Sequence, residues 1–186
     1  MRTRFFIVLL SGLLAFAGSS RADKIDINLK NEAFFVEYSY LPVKSNAIFS
    51  GSLLHQTDNG DLVSGRFRIE QTLYDVNSDF KAGIGARALY VDATHDSGGA
   101  LALSGTMRYA FPQNDKLWIA GVIDYAPQVV SFGDLENFYN GEFSFGYQLI
   151  DHANIYIGAR YTRTDFENEG SFAFDRGAIF GISIDI

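Results

Sequence analysis

Cysteine is absent from this 186-residue chain, so no disulfide, thiol nucleophile or thiolate metal site is open to it. Proline is scarce: Pro42, Pro112 and Pro127 are the only three. Histidine is equally rare, and His55, His95 and His152 have spacings that make neither a metal pair nor an H-E-x-x-H helix. The 15 basic residues are outnumbered by 22 acidic ones and form no basic stripe, which argues against a nucleic-acid partner. Beyond residue 22 no apolar run approaches the roughly 20 residues that a transmembrane helix requires. If such a chain crosses a membrane, it does so with strands.

What is present begins with MRTRFFIVLLSGLLAFAGSSRA. Arg2 and Arg4 give a basic start, Phe5 to Ala17 an apolar run too short to span a bilayer, and Ser20-Arg21-Ala22 small residues where a signal peptidase reads them. Residues 1–22 are therefore expected to be a signal peptide cleaved after Ala22, leaving 23–186 as one exported domain. Losing Arg2, Arg4 and Arg21 moves the formal net charge from −7 to about −10.

Past that point the chain alternates with period two and shows no helical period. In FYNGEFSFGYQL (138–149), Tyr139, Gly141, Phe143, Phe145, Tyr147 and Leu149 share one face, against Asn140, Glu142, Ser144, Gly146 and Gln148. Comparable segments fall at 25–30, 34–41, 47–55, 62–73, 80–91, 100–111, 116–126, 154–164 and the stretch closing on Ile186, although Trp118 and Val122 interrupt the pattern of theirs. Turn signals separate them, including Asp58-Asn59-Gly60, Asp75-Val76-Asn77-Ser78-Asp79 and Pro112-Gln113-Asn114-Asp115. All three prolines stand at expected strand ends, and Pro127 opens a longer loop through Asn137.

This pattern predicts an all-β fold, an antiparallel up-and-down transmembrane β-barrel. Its strand number must be even, and of eight and ten the segment count favours ten. A soluble ligand-binding barrel would alternate in the same way, so the polar face must decide between them. That face carries Arg66, Arg68, Lys81, Arg87, Arg108 and Arg160 together with Glu37, Glu70, Asp124, Glu142, Asp175 and Asp185. Near-equal opposite charges suit a narrow lumen filled by ion pairs, and these twelve residues are the expected lumen network. Tyr38, Tyr40, Tyr90, Tyr109, Tyr125, Tyr139 and Tyr161 lie near strand ends, where an interfacial girdle would place them. Glycines on the polar faces, Gly83, Gly85, Gly146, Gly158 and Gly181, leave room in such a lumen.

Residues 121–161, GVIDYAPQVVSFGDLENFYNGEFSFGYQLIDHANIYIGARY, resemble the YfaZ family of outer-membrane proteins, and the early IDINLKNEAFFVEYSY is similar to that family's opening. The final strand resembles an outer-membrane insertion signal but ends in Ile186 instead of Phe. The resemblance implies a porin-like, exported β-barrel of a Gram-negative bacterium and carries over no catalytic residue. The expected partners are outer-membrane lipid and lipopolysaccharide, with the barrel-assembly machinery during insertion. The expected state is a monomer with no cofactor and no metal.

The expected function is non-enzymatic: structural, interacting, or a narrow pore whose lumen charges tune selectivity. The alternatives are a lipid A-modifying enzyme and a soluble periplasmic binding barrel. The enzyme reading would rest on His95 and Ser97, oriented by Asp92 or Asp96, but a DATHDSGG loop is a poor platform for a catalytic base. Asp165, Glu167 and Glu169 offer carboxylates to a calcium ion without an EF-hand spacing, so a solvated acidic loop is the plainer reading. Phe132 and Leu135, in the 127–137 loop, are placed either to meet a partner or to pack on the rim.

Overall fold

Period-two sequence becomes strand wherever side chains can be sorted to two different environments. The computed structural model shows that sorting over residues 23–42, 44–73, 80–94, 96–168 and 170–186. The signal segment 1–22, the turn expected at 75–79, His95 and Glu169 lie outside the described residues.

The strands are β1 (Lys24–Lys30), β2 (Ala33–Tyr40), β3 (Ala47–Gln56), β4 (Gly60–Leu73), β5 (Phe80–Ala93) and β6 (Ser97–Phe111). They are followed by β7 (Asn114–Ala126), a short β8 (Ser131–Gly133), β9 (Leu135–Ile150), β10 (Ala153–Phe166) and β11 (Gly170–Asp185). Every neighbour pairs antiparallel. The ring runs β1 to β7 in chain order, continues through β9, β10 and β11, and closes where β1 pairs with β11 from Lys24↔Asp185 to Leu29↔Phe180. Among the described residues this is a closed up-and-down barrel of ten strands, with β8 outside the ring as a short addition to β6. The even count and the favoured number agree with the sequence reading.

The clearest difference from that reading lies between β7 and β9. The loop expected through Asn137 is shorter, because a 3₁₀ turn (Gln128–Val130) and β8 fold part of it back and β9 already begins at Leu135. Ser131, Phe132 and Gly133 pair with Ala100, Gly99 and Gly98, where the absence of side chains at both glycines lets the segment approach β6. On β11 the register slips opposite Thr162/Arg163, so that Phe174 and Asp175 are both buried as neighbours. Such a bulge re-aims the residues that follow it.

The outward wall is apolar. Phe49, Phe67, Ile84, Leu101, Leu103, Ile123, Phe143, Phe145, Ile157, Phe180 and Ile182 are all exposed large hydrophobics, and Leu103 is 65% exposed. A soluble protein does not present a continuous face of this kind, whereas a barrel in lipid must. Tyrosines border this band at both ends. Tyr90, Tyr125, Tyr139 and Tyr161 stand toward the end bearing the hairpin loops of β3–β4, β5–β6 and β10–β11, and Tyr38, Tyr40, Tyr109 and Tyr147 toward the other end. The first end is called the loop end here. The second, where β1 starts and β11 finishes, is the turn end. This is the architecture of a transmembrane β-barrel.

Leu103 lies midway along β6 on this wall. Leu103→Arg is expected to lower stability in a bilayer by about 2–4 kcal/mol, measured by urea unfolding in lipid vesicles. Leu103→Phe is expected to change it little.

Candidate functional site

Inward-facing residues divide the lumen into three levels. Nearest the loop end is an apolar plug made by Leu54, Leu62, Leu89, Val91, Ala100, Ala102, Ala126, Leu135, Phe138, Phe166 and Phe174. Phe138, Phe174 and Val91 have no exposed surface. Phe166 stacks on Phe172 with ring centroids 5.9 Å apart. Above the plug, hydrogen bonds cross the mouth. Asp134 receives the Glu167 amide at its carbonyl and donates its own amide to Ser97 O, each at 3.0 Å. Asn59 Nδ2 donates to Phe174 O at 2.6 Å, tying the β3–β4 turn to the β11 bulge, and Asn168 Nδ2 donates to Asp96 Oδ1 at 3.4 Å.

The middle level is ionic. Asp124 Oδ2 accepts from Arg66 at 2.9 Å, Arg87 at 2.8 Å and Asn140 at 3.0 Å. Arg66 also reaches Glu37 at 3.2 Å, Arg87 donates from Nε to Ser64 Oγ at 2.9 Å, and Thr162 donates to Asn140 Oδ1 at 2.8 Å. A second knot joins Arg160 to Glu142 at 2.8 Å and to Asp175 at 3.8 Å, while Lys30 holds Asp175 Oδ1 at 2.6 Å. Charges this deep are tolerated only when paired and hydrogen-bonded, and each arginine here has a carboxylate. Two of them also lie against rings: Arg160 is 4.3 Å from the Phe35 centroid and Arg87 is 5.6 Å from that of Phe138.

Below the plug a cavity of about 390 Å³ runs from the ionic level, where Arg66, Arg87 and Thr162 line it, to an open vestibule at the turn end that reaches Lys24, Leu41, Lys81 and Asp185. Trp118 and Tyr156 form its floor on one side. Trp118 Nε1 donates to Asn154 Oδ1 at 3.1 Å, Asn28 Nδ2 donates to Tyr156 OH at 3.0 Å, and Tyr156 donates to Asp26. Both rings lie flat over glycines. A Cβ at Gly146 would stand 2.1 Å from the Trp118 ring and one at Gly181 2.2 Å from that of Tyr156.

The twelve residues expected in the lumen are thus not all in one cluster. Glu37, Arg66, Arg87 and Asp124 meet directly, as do Glu142, Arg160 and Asp175. Arg68 and Glu70 form a looser pair at 3.8 Å. Arg108 lies over the Trp118 ring at 4.1 Å, and Lys81 and Asp185 line the vestibule mouth, outside both knots. Sequence reasoning missed Lys30, Asp26, Asn140, Thr162 and Tyr156 as members. Lys30 and Asp26 share the inward parity of Asn28, so the signal was the alternation itself. Trp118 and Val122, which interrupt the polar face in the sequence, point into the lumen like Asp124.

The other sequence candidates stand apart. His55 is on the outer rim, 2.7 Å from Asp61, and His152 lies in the β9–β10 turn. The His95 half of the enzyme reading and Glu169 of the acidic loop are outside the described residues, and Asp165 is bound to Arg163 at 3.0 Å. No group of three metal-ligating side chains occurs among the described residues. Leu135 is buried in the plug, whereas Phe132 is 61% exposed.

An apolar wall around a charged and plugged lumen defines the class: a small transmembrane β-barrel. The chain belongs to the YfaZ family, whose family model, described as "YfaZ precursor", matches residues 2–186. Among solved structures it is similar to the KdgM porin, at 9% identity and a TM-score of 0.47, with 89% of this chain and 99% of that one covered. The KdgM porin in complex with disordered oligogalacturonate gives 10% identity, the same TM-score and the same coverage. Likeness at that level assigns no substrate. No curated protein matches.

Asp124 has no exposed side-chain surface and serves two arginines. Asp124→Ala is expected to cost about 3–5 kcal/mol by stranding them. Adding Arg87→Met to that variant is expected to recover part of the loss, read from urea unfolding in detergent micelles.

Proposed function

We propose that this chain is a non-enzymatic outer-membrane β-barrel that is sealed at its loop end and serves a structural or interaction role through its open vestibule. The closed loop end carries this reading. Phe138, Phe166 and Phe174 fill the lumen there, and the crossing hydrogen bonds of Asp134, Asn59 and Asn168 fasten the hairpins above them. This apolar plug opposes ion passage, because an ion entering it gives up its hydration for no compensating ligand.

The lipid-facing wall and membership in a family described as a precursor support this location. In such barrels both termini lie on the periplasmic side, so the vestibule opens to the periplasm and the plug faces outward. Outer-membrane lipid and lipopolysaccharide are then the partners of the wall, and the barrel-assembly machinery is the partner during insertion. The non-enzymatic character rests on how the polar groups are used. The lumen carboxylates Asp124, Glu142 and Asp175 are occupied by cations, and the described histidines His55 and His152 stand outside the lumen.

A narrow pore is the second reading, favoured by the charged lining of the vestibule, and it requires the plug to move. Planar-bilayer recording of the refolded protein separates the two. Silence is expected across the usual voltage range, and steady unitary conductance without an added ligand would contradict the sealed barrel.

A further inference from the structure

Positive charge is almost excluded from the outward wall, and its two exceptions fall in one place. Along the outward faces of the ten ring strands, the described arginines and lysines number two, Arg163 on β10 and Arg176 on β11. Both are exposed, and both stand on the loop-end half of adjacent strands. Tyr161 is the register partner of Arg176, and Tyr139 on β9 that of Arg163. The four side chains therefore alternate arginine and tyrosine over three strands. The Tyr139 and Tyr161 rings lie 6.2 Å apart.

The backbone beneath is fixed from inside. Lys30, held by Asp175, also donates to the Arg176 carbonyl, and Gly177 follows at φ 135°. The bulge that buries Phe174 and Asp175 together thus sets Arg176 outward. On β10, Arg163 bonds Asp165 Oδ1 through Nε at 3.0 Å, and its side chain keeps 47% of its surface exposed. That bond orients the guanidinium and engages one of its five N–H donors. The rim on the far side of the barrel bears His55, Asp61 and Asp92 and so has the opposite character.

An arginine in lipid is costly unless it meets an anion or water at the interface. Two guanidinium forks a diagonal apart, about 7–8 Å between their backbones, suit the oxygens of a phosphate monoester bound by both. We propose that Arg163 and Arg176, with Tyr139 and Tyr161 beside them, form an outer-rim site for the phosphate of an outer-leaflet glycolipid such as lipid A. This rests on the outer-membrane reading with the loop end outward. It adds to that reading the position and chemistry of one lipid contact.

The test is native mass spectrometry of the full protein in detergent micelles, titrated with bisphosphorylated lipid A, with the same lipid lacking phosphate, and with inorganic phosphate. R163Q/R176Q is expected to weaken phosphorylated lipid A by at least about tenfold, as the loss of charge-assisted bonds implies. Binding of the phosphate-free lipid is expected to be weak and equal in both proteins, and R163K/R176K is expected to retain part of the affinity. Heat-modifiable gel mobility checks folding, and R176Q alone replaces the double variant if that one fails to fold. Equal binding of phosphorylated lipid A by wild type and variant would overturn the site. So would wild-type affinity independent of the phosphates, or full competition by inorganic phosphate at equal concentration. A protein recovered in the periplasmic wash would instead overturn the membrane reading itself.

Discussion

Hydrocarbon offers no hydrogen bonds, and the rest of the structure follows from that one fact. Each backbone N–H and C=O at membrane depth must find a partner within the chain, so a sheet there has to close on itself. Closure is made by β1 against β11, six register pairs from Lys24↔Asp185 to Leu29↔Phe180. Ten strands fix a circumference, and a circumference of that size leaves a lumen too wide to be empty and too narrow to be a spacious channel. What fills it decides what the protein can do.

The filling is graded along the axis. Phenylalanines and aliphatic residues pack the loop end, arginine–carboxylate knots occupy the middle, and the turn end is left open. The gradient has a physical sense. Apolar groups need only each other, so they suit the level where the mouth is tied by Asp134, Asn59 and Asn168. Buried charges need partners on several strands. Asp124 on β7 gathers Arg66 from β4, Arg87 from β5 and Asn140 from β9, and Arg66 reaches on to Glu37 on β2 across the barrel. Truncation of one partner would leave the others uncompensated, which makes this level a register lock as well as a filling.

Much of this was legible in the sequence because strand parity is local. Arg66, Arg87, Asp124, Glu142 and Arg160 reveal their face through their immediate neighbours, and the tyrosines reveal theirs by standing at segment ends. The plug was not legible. Leu62, Val91 and Phe138 share the lumen parity, but in sequence they read as stray apolar residues near turns. Only the stagger of ten strands brings them to one level. The bulge on β11 was equally hidden, since nothing local says that Phe174 and Asp175 will both turn inward and carry Arg176 outward. Trp118 looked like a break in the pattern because a lumen was expected to be polar. Its place depends on Gly146, on the neighbouring strand β9, leaving space beneath the ring.

The central claim is a lumen dry at the loop end and open at the turn end, and the lack of native cysteine makes it directly measurable. Single cysteines at Lys81, exposed on the vestibule lining, and at Val91, in the plug, would each be the sole thiol for a water-soluble maleimide. The folded barrel should label at position 81 and resist labelling at 91, with both sites reactive after heat unfolding. Equal labelling rates at the two positions in the folded protein would mean a lumen wet throughout and would contradict the account.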